Sequence, residues 1–216
     1  MLSKKHKECR LKLITRWMTE NHPWEKTIFS DEKRFSLDGP DDWRTYAMKN
    51  EEINRQQRQC GGGSIMIWLM TLPNGLLSYK VIAGKFNSDS YIDMMKMSVV
   101  PIMKLNFGND FWLQEDNASV HKSAKVKHFM LQSSIKILEW PAKSPDLNIT
   151  EDIWKLISEQ VYDGPQFLNI NQLKTKLKNV IDDINQHQRE KVFDLYKSIR
   201  SRLCKVLIKR GALYNK

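Results

Sequence analysis

Thr27-Ile28-Phe29-Ser30-Asp31-Glu32-Lys33-Arg34-Phe35-Ser36-Leu37 is the stretch on which the reading of this chain turns. Large apolar residues recur there at a period of two, the signature of a strand with one buried face. Phe29, Phe35 and Leu37 fall on that face, and so does Asp31, with Lys33 between them. A surface carboxylate belongs on the opposite face, so Asp31 is marked as an acid held against a core.

Outward from this strand the chain alternates between elements. Ser3 to Glu20 reads as a basic amphipathic helix with Leu11, Ile14 and Met18 on its apolar stripe, stopped by Asn21-His22-Pro23. Beyond the strand, Asp38 to Asp42 is a turn cluster opening a polar excursion over residues 38–60, closed by Gly61-Gly62-Gly63. Ser64 to Thr71 is a buried strand, Pro73-Asn74-Gly75 a hairpin turn, and Leu76 to Ala83 the returning strand. A helix over Ser88–Asn106, a strand over Asp110–Glu115, a helix over Ser119–Leu131 and a short strand over Ile135–Leu138 follow. After a loop from Pro141 to Leu147, a helix is predicted over Ile149–Tyr162, with Ile153, Trp154, Ile157 and Val161 facing the core. Gly164-Pro165 breaks the chain before two basic helices near Asn171–Gln186 and Arg189–Arg210. A meander followed by strand–helix alternation implies an α/β fold, a mixed sheet covered by helices. Three segments follow: a basic lead-in over residues 1–26, a central domain over 27–165, and basic C-terminal helices over 166–216.

The chain of 216 residues carries a net charge of +10, and 41% of it is apolar. That length suffices for a real core, and the composition argues against disorder. Gln166 to Lys216 holds 12 Lys/Arg against 4 Asp/Glu, while the middle of the chain is slightly acidic. Basic ends around an acidic centre fit a metal site flanked by surfaces for nucleic acid; a solvated Lys/Arg surface is the plain alternative. Cys9, Cys60 and Cys204 have neither disulfide-scaffold nor zinc-ligand spacing, which suits a reducing compartment. The longest apolar run, Ile65 to Met70, is far short of a membrane span, and no signal peptide is evident. With DNA as the expected partner, the expected location is the nucleus.

Three carboxylates occupy matching places in this layout. Asp31 lies inside the first strand, Asp116 at the C-terminal end of the fourth, and Glu151 in the first turn of the helix after the last strand. Strand ends and helix starts are where α/β folds gather ligands. Clustered carboxylates suit Mg2+ (or Mn2+), a hard cation that relieves their mutual repulsion. Two such ions about 4 Å apart support phosphodiester chemistry without a protein nucleophile. Taken singly, each acid has an ordinary reading as a strand-edge charge, a turn or cap, or a first-turn Glu favoured by the helix dipole.

The motifs weigh against those separate readings. Phe29–Phe35 (Phe-Ser-Asp-Glu-Lys-Arg-Phe), Leu37–Asp41 (Leu-Asp-Gly-Pro-Asp) and Gly61–Trp68 (Gly-Gly-Gly-Ser-Ile-Met-Ile-Trp) resemble the catalytic domain of the Tc/mariner DNA transposases, on the Tc-like branch. So do Gln114–Ser123 (Gln-Glu-Asp-Asn-Ala-Ser-Val-His-Lys-Ser) and Trp140–Asn148 (Trp-Pro-Ala-Lys-Ser-Pro-Asp-Leu-Asn), and 34 residues separate Asp116 from Glu151, the family's spacing. The resemblance implies a ribonuclease-H-like five-stranded sheet and an Asp-Asp-Glu triad of Asp31, Asp116 and Glu151 holding two Mg2+ or Mn2+. It also implies cleavage and strand transfer of double-stranded DNA, and a clamp-like loop over 38–60 that joins a homodimer. His121 matches the family's Asn-Ala-x-x-His pattern, lining the site or contacting DNA, or else packing or capping at a helix start. Asn117 orients Asp116 or caps the next helix, and Trp140 scaffolds the loop before Glu151. Lys33, Arg34 and Lys122 near the acids, with Lys205, Lys209 and Arg210 in the tail, are candidate phosphate contacts, though a solvated face is the commoner role for such charges.

Departures from the family are local. Asn-Pro-Ile-Glu-Asn becomes Asn148-Ile149-Thr150-Glu151-Asp152, losing a first-turn proline and adding an acid that could compete as a ligand. Leu69-Met70 replaces a small pair after the strand Trp, adding bulk beside the active strand. The chain begins just ahead of the catalytic domain, without the paired helix-turn-helix modules the resemblance implies in front, so it is either a fragment or a decayed or repurposed copy. Hence the alternative reading: a decayed or domesticated remnant that only binds DNA or a partner. A general ribonuclease-H-type nuclease is a third, disfavoured because the fold alone does not demand the family's strings.

Overall fold

The computed structural model describes residues 2–39 and 63–214. From residue 40 on, the clamp-like reading of 38–60 therefore falls outside the described residues. Helix α1 (Lys4–Thr19) is opened by Ser3, whose hydroxyl accepts from the His6 amide while the His6 ring answers the Ser3 amide. The sheet consists of β1 (Thr27–Ser36), β2 (Ser64–Thr71), β3 (Leu77–Ile82), β4 (Trp112–Gln114) and β5 (Lys136–Leu138), in the order β3-β2-β1-β4-β5. The β3-β2-β1 half is antiparallel and the β1-β4-β5 half parallel. This is the mixed five-stranded sheet expected from a meander followed by crossovers.

Alternation along β1 and β2 sorts the core into two layers. Phe35, Leu37, Ile65, Ile67 and Leu69 pack on one face against α5 (Thr150–Val161) and α6 (Ile170–His187). Phe29 lies on the same face, under α1 and α7 (Arg189–Ile208). Ile28, Trp68 and Met70 pack on the other face against α2 (Ser88–Met94), α3 (Val100–Phe107) and α4 (Ala124–Gln132). Leu69 and Met70 are fully buried, one in each layer, so the added bulk is absorbed on opposite sides of the strand. Gly75 (φ +82°) makes the β2–β3 turn, where an added Cβ would sit 2.6 Å from the Arg189 carbonyl. On the same strand edge, Asn185 of α6 accepts from the Leu77 amide (2.8 Å) and donates to its carbonyl (2.9 Å), closing off part of the free edge of β3.

Two helices differ from their sequence expectation. The continuous helix over 88–106 is interrupted by a π-helical turn at Met95–Val99, just ahead of Pro101. Proline has no N–H for the carbonyl four residues back, so the α-helical ladder cannot run through it unbroken. The helix expected from Ser119 starts at Ala124, capped by the Ser123 hydroxyl, which accepts from the Val126 amide. The strand expected over 110–115 is shorter as well, so Asp116 lies two residues beyond the end of β4. Among the described residues, no helix is long and apolar enough to cross a membrane.

Candidate active site

The site is built first by register. Phe29 faces Gln114 across β1–β4, and Gln114 faces Leu138 across β4–β5. Asp31 and Asp116 each lie two residues beyond the first of these pairs, and Trp140 two residues beyond Leu138. The hydroxyl of Ser30 donates to the Gln114 carbonyl (2.9 Å), pinning β1 to β4 just before both acids. The fold therefore carries the two segments that hold these acids out of the same end of the parallel half, where β4 has stopped and its neighbour runs on.

Asp31 points into the α5 layer, as its alternation with Phe29 and Phe35 predicted. It accepts from Trp154 Nε1 (3.2 Å), Thr150 Oγ1 (3.3 Å) and the Glu32 amide (2.9 Å). Directly opposite on β2 stands Leu69, which keeps water from that flank. Burial, then the charges of Glu151 and Glu32, push the Asp31 carboxyl up to about 7. Glu151 is thus close enough to act on Asp31, and its own side chain is exposed at the first turn of α5. Of the three predicted acids, Asp31 and Glu151 face each other electrostatically, whereas Asp116 is turned to His121, and among the described residues the three do not form one cluster of ligand atoms.

Glu32 lies on the opposite face of β1 and meets a network absent from the sequence reading. His121 Nδ1 sits 2.9 Å from Asp116 Oδ1, and its Nε2 lies 3.4 Å from Glu32 Oε1. The second contact is an ion pair without hydrogen-bond geometry, so both of its atoms stay unsatisfied. The His121 ring packs 4.9 Å from Tyr91, whose hydroxyl donates to buried Glu115. Burial opposes the charge on His121, but the bond to Asp116, the ion pair with Glu32 and the field of Glu115 outweigh it and push its pKa up to about 10. The bond from His121 in turn holds Asp116 below the usual carboxylate range, while burial pushes Glu115 up. Glu32, Asp116 and His121 offer ligand atoms all within 4.8 Å of one another. The contacts of His121 to Asp116 and Glu32 make this group an ion-pair network centred on the imidazole.

The remaining predicted residues are spread around this centre. Asn117 donates to the Trp140 carbonyl (3.0 Å), tying the end of β4 to the end of β5. Trp140 stacks on Trp17 of α1 (5.4 Å) and meets Phe29 edge-on (5.9 Å), so the scaffold it supplies reaches the first helix. Asp152 Oδ2 accepts from Arg202 Nη1 (2.8 Å). Arg34 donates to Ser64 Oγ (3.1 Å), and Lys33 is half-buried on β1. Lys122 is exposed beside Asp116, on a groove of about 500 Å3 that runs between α4 and β5 past Lys127 and Leu131. Lys205 lies over the Tyr214 ring (5.4 Å); Lys209 and Arg210 are exposed at the end of α7. Glu32, Glu115, Thr150 and Trp154 were missed as site residues. Glu32 and Glu115 each adjoin a predicted acid in sequence, which was the available signal; Thr150 and Trp154 gave none apart from their place on α5.

The donor set fits a hard divalent cation. Asp31, Asp116 and Glu151 offer oxygen ligands, and the charges of Glu151 and Glu32 leave negative charge in excess at Asp31. Likeness to known proteins agrees. A family model described as "DDE superfamily endonuclease" matches residues 26–174. The Tc3 transposase of Caenorhabditis elegans is 31% identical over 214 residues, covering 98% of this chain and 64% of that protein. The Tcb1 transposase of Caenorhabditis briggsae is 29% identical over 160 residues, covering 72% of this chain and 58% of that protein. This chain thus spans less than two thirds of the length of these relatives. Among solved structures, the Mos1 transposase paired-end complex with left transposon end superposes with a TM-score of 0.81 at 16% identity, over 100% of this chain and 65% of that one. The Mos1 transposase catalytic domain with raltegravir and Mg does so at 0.75 and 14% identity, over 100% of both. The family match, which covers more than half of the chain, places it among the DDE superfamily endonucleases.

Proposed function

We propose that this chain is the catalytic part of a cut-and-paste DNA transposase, cleaving and rejoining DNA strands with two divalent cations held by Asp31, Asp116 and Glu151. The observation that supports the reading is buried Asp31 with the charge of Glu151 brought against it, on the strand whose parallel pairing with β4 ends two residues before Asp31 and Asp116. When bound there, such cations lower the pKa of an attacking water or 3′-hydroxyl and stabilise the leaving oxygen. The chain's own part is orientation. Trp154 and Thr150 fix the Asp31 carboxylate, and Ser30 and Asn117 hold the ends of β4 and β5 in step. His121 holds Asp116. Lys122 and the groove beside Asp116 offer positive charge to DNA phosphates, which positions DNA without reading its sequence. A homodimer joined through the 38–60 loop, transposon ends and target as the DNA partners, and a nuclear site of action complete the proposal.

The test is Mn2+-dependent nicking of a DNA duplex together with calorimetric Mn2+ titration. Asp31→Ala, Asp116→Ala and Glu151→Ala should each abolish nicking and weaken Mn2+ binding. Nicking by these variants at the parent rate refutes the assignment.

A further inference from the structure

Glu151 has to be held in place by something other than its own helix start. Ile149 stands at the N-cap of α5 and supplies no side-chain cap; the Asn148 side chain accepts from the Thr150 amide (3.2 Å), one residue short of Glu151. The loop leading in is gripped from both ends of the chain. Arg10 of α1, fully buried, donates to both oxygens of Asp146 (2.8 and 2.6 Å) and to the Gly211 carbonyl (3.0 Å). Tyr214 donates its hydroxyl to the Asp146 carbonyl (2.6 Å) and its amide to the Asp146 side chain (3.3 Å). Arg202 of α7, itself steadied by Ser198 Oγ (2.8 Å), reaches Asp152 Oδ2 at 2.8 Å and the Asp146 carbonyl at 3.4 Å. One guanidinium therefore spans the residues on either side of Glu151. Gly211 (φ +80°) permits the closure: a Cβ there would lie 2.5 Å from the Lys7 carbonyl. Both α1 and α7 lie outside the stretch that the family model matches.

We infer that Arg202, backed by Arg10, is a positioning residue for Glu151, so that the two chain ends set the geometry of the metal-holding turn. The inference rests on the proposed function only in taking Glu151 as a ligand. It also gives Asp152 a role: its charge is taken up by Arg202, on the turn's flank, rather than by a cation. Arg202 is held at Nε by Ser198 while its Nη1 reaches the turn, a two-point placement on a rigid planar group that Lys does not reproduce.

The experiment uses the whole chain with Arg202→Met, Arg202→Lys, the pair Arg202→Gln with Asp152→Asn, and Val180→Ala as a destabilised control remote from the turn. Each is measured for Mn2+ affinity by calorimetry well below its melting temperature and for amide hydrogen exchange at residues 150–153. Loss of a group that orients a metal ligand costs roughly 10–100-fold in affinity. Arg202→Met is expected to lose at least tenfold and to exchange faster at these amides. Arg202→Lys should fall between, the neutral amide pair should recover most of the loss, and Val180→Ala should bind like the parent. Parental Mn2+ affinity in Arg202→Met, while Asp31→Ala has lost it, overturns the inference. If Asp31→Ala binds Mn2+ like the parent, the proposed function fails instead, and exchange at 150–153 alone decides: unchanged exchange in Arg202→Met overturns the positioning role. If Arg202→Met does not fold, the neutral amide pair and Arg202→Lys carry the same comparison.

Discussion

Replacing Arg10 by Met keeps most of the side chain's volume and strips its charge, leaving Asp146 as a buried anion without its main partner. The Arg10 side chain has no exposed surface and that of Asp146 only 5%, so water cannot take the place of the guanidinium. Breaking such a pair by removing one partner costs about 3–5 kcal/mol, because the surviving charge is stranded. The loss of the donor to the Gly211 carbonyl adds to this. Against a total stability on the order of 5–15 kcal/mol, the variant should melt lower by roughly 10 °C, at about 2–4 °C per kcal/mol for a chain of this size. Thermal and urea denaturation of the parent, Arg10→Met, Asp146→Asn and the double variant form the cycle that isolates the pair. The double variant should recover half or more of the loss, since the side-chain amide introduced by Asp146→Asn is neutral and still offers an oxygen to the Tyr214 amide. A shift below about 2 °C for Arg10→Met, or a double variant no more stable than the single, refutes the argument that a stranded buried carboxylate dominates.

Two further outcomes follow from the same electrostatics. Asp31→Asn should abolish nicking yet, in chelator at pH 8, raise stability by about 1–3 kcal/mol. It removes a carboxylate that burial, Glu151 and Glu32 all disfavour, and it keeps an oxygen for Trp154 and Thr150; a lower melting temperature contradicts this. His22 is held neutral between the rings of Trp24 and Trp112, and its Nε2 donates to Thr27 Oγ1, whose own proton goes to the Pro23 carbonyl. Burial drives its pKa down to about 4, so the unfolded chain takes up the proton first. Its contribution is complete above pH 6.5 and is lost as pH falls from there to about 4, at most about 3 kcal/mol and less after solvent screening. Urea midpoints across that window should slope less in His22→Gln, and an equal slope counts against a neutral buried His22.

The helices and strands were readable because their apolar periods are strong, as along β1 and along α5. Asp31 was readable for the same reason: a charge in phase with Phe29 and Phe35 has to enter the core layer. The failures have local causes. Pro101 breaks an otherwise good helical period, and the start of α4 is set by the Ser123 cap rather than by the apolar pattern. His121 drew notice only through its motif. Its burial among Tyr91, Glu32, Glu115 and Asp116 depends on elements from separate parts of the chain, which no period in the sequence encodes.

By itself, then, the sequence determined which side chains are acids in phase with buried faces, how many residues separate them, and the family whose motifs they carry, because side-chain periodicity and spacing are local properties of the chain. Tertiary structure alone decided that β1 and β4 run parallel with Phe29 opposite Gln114, two residues short of Asp31 and Asp116, and that Arg10 and Arg202 close on the loop before and after Glu151. Those outcomes depend on pairings across 85, 136 and 50 residues of chain. Such contacts are selected by burial and charge compensation in the assembled core, and they leave no repeating pattern in the amino-acid order.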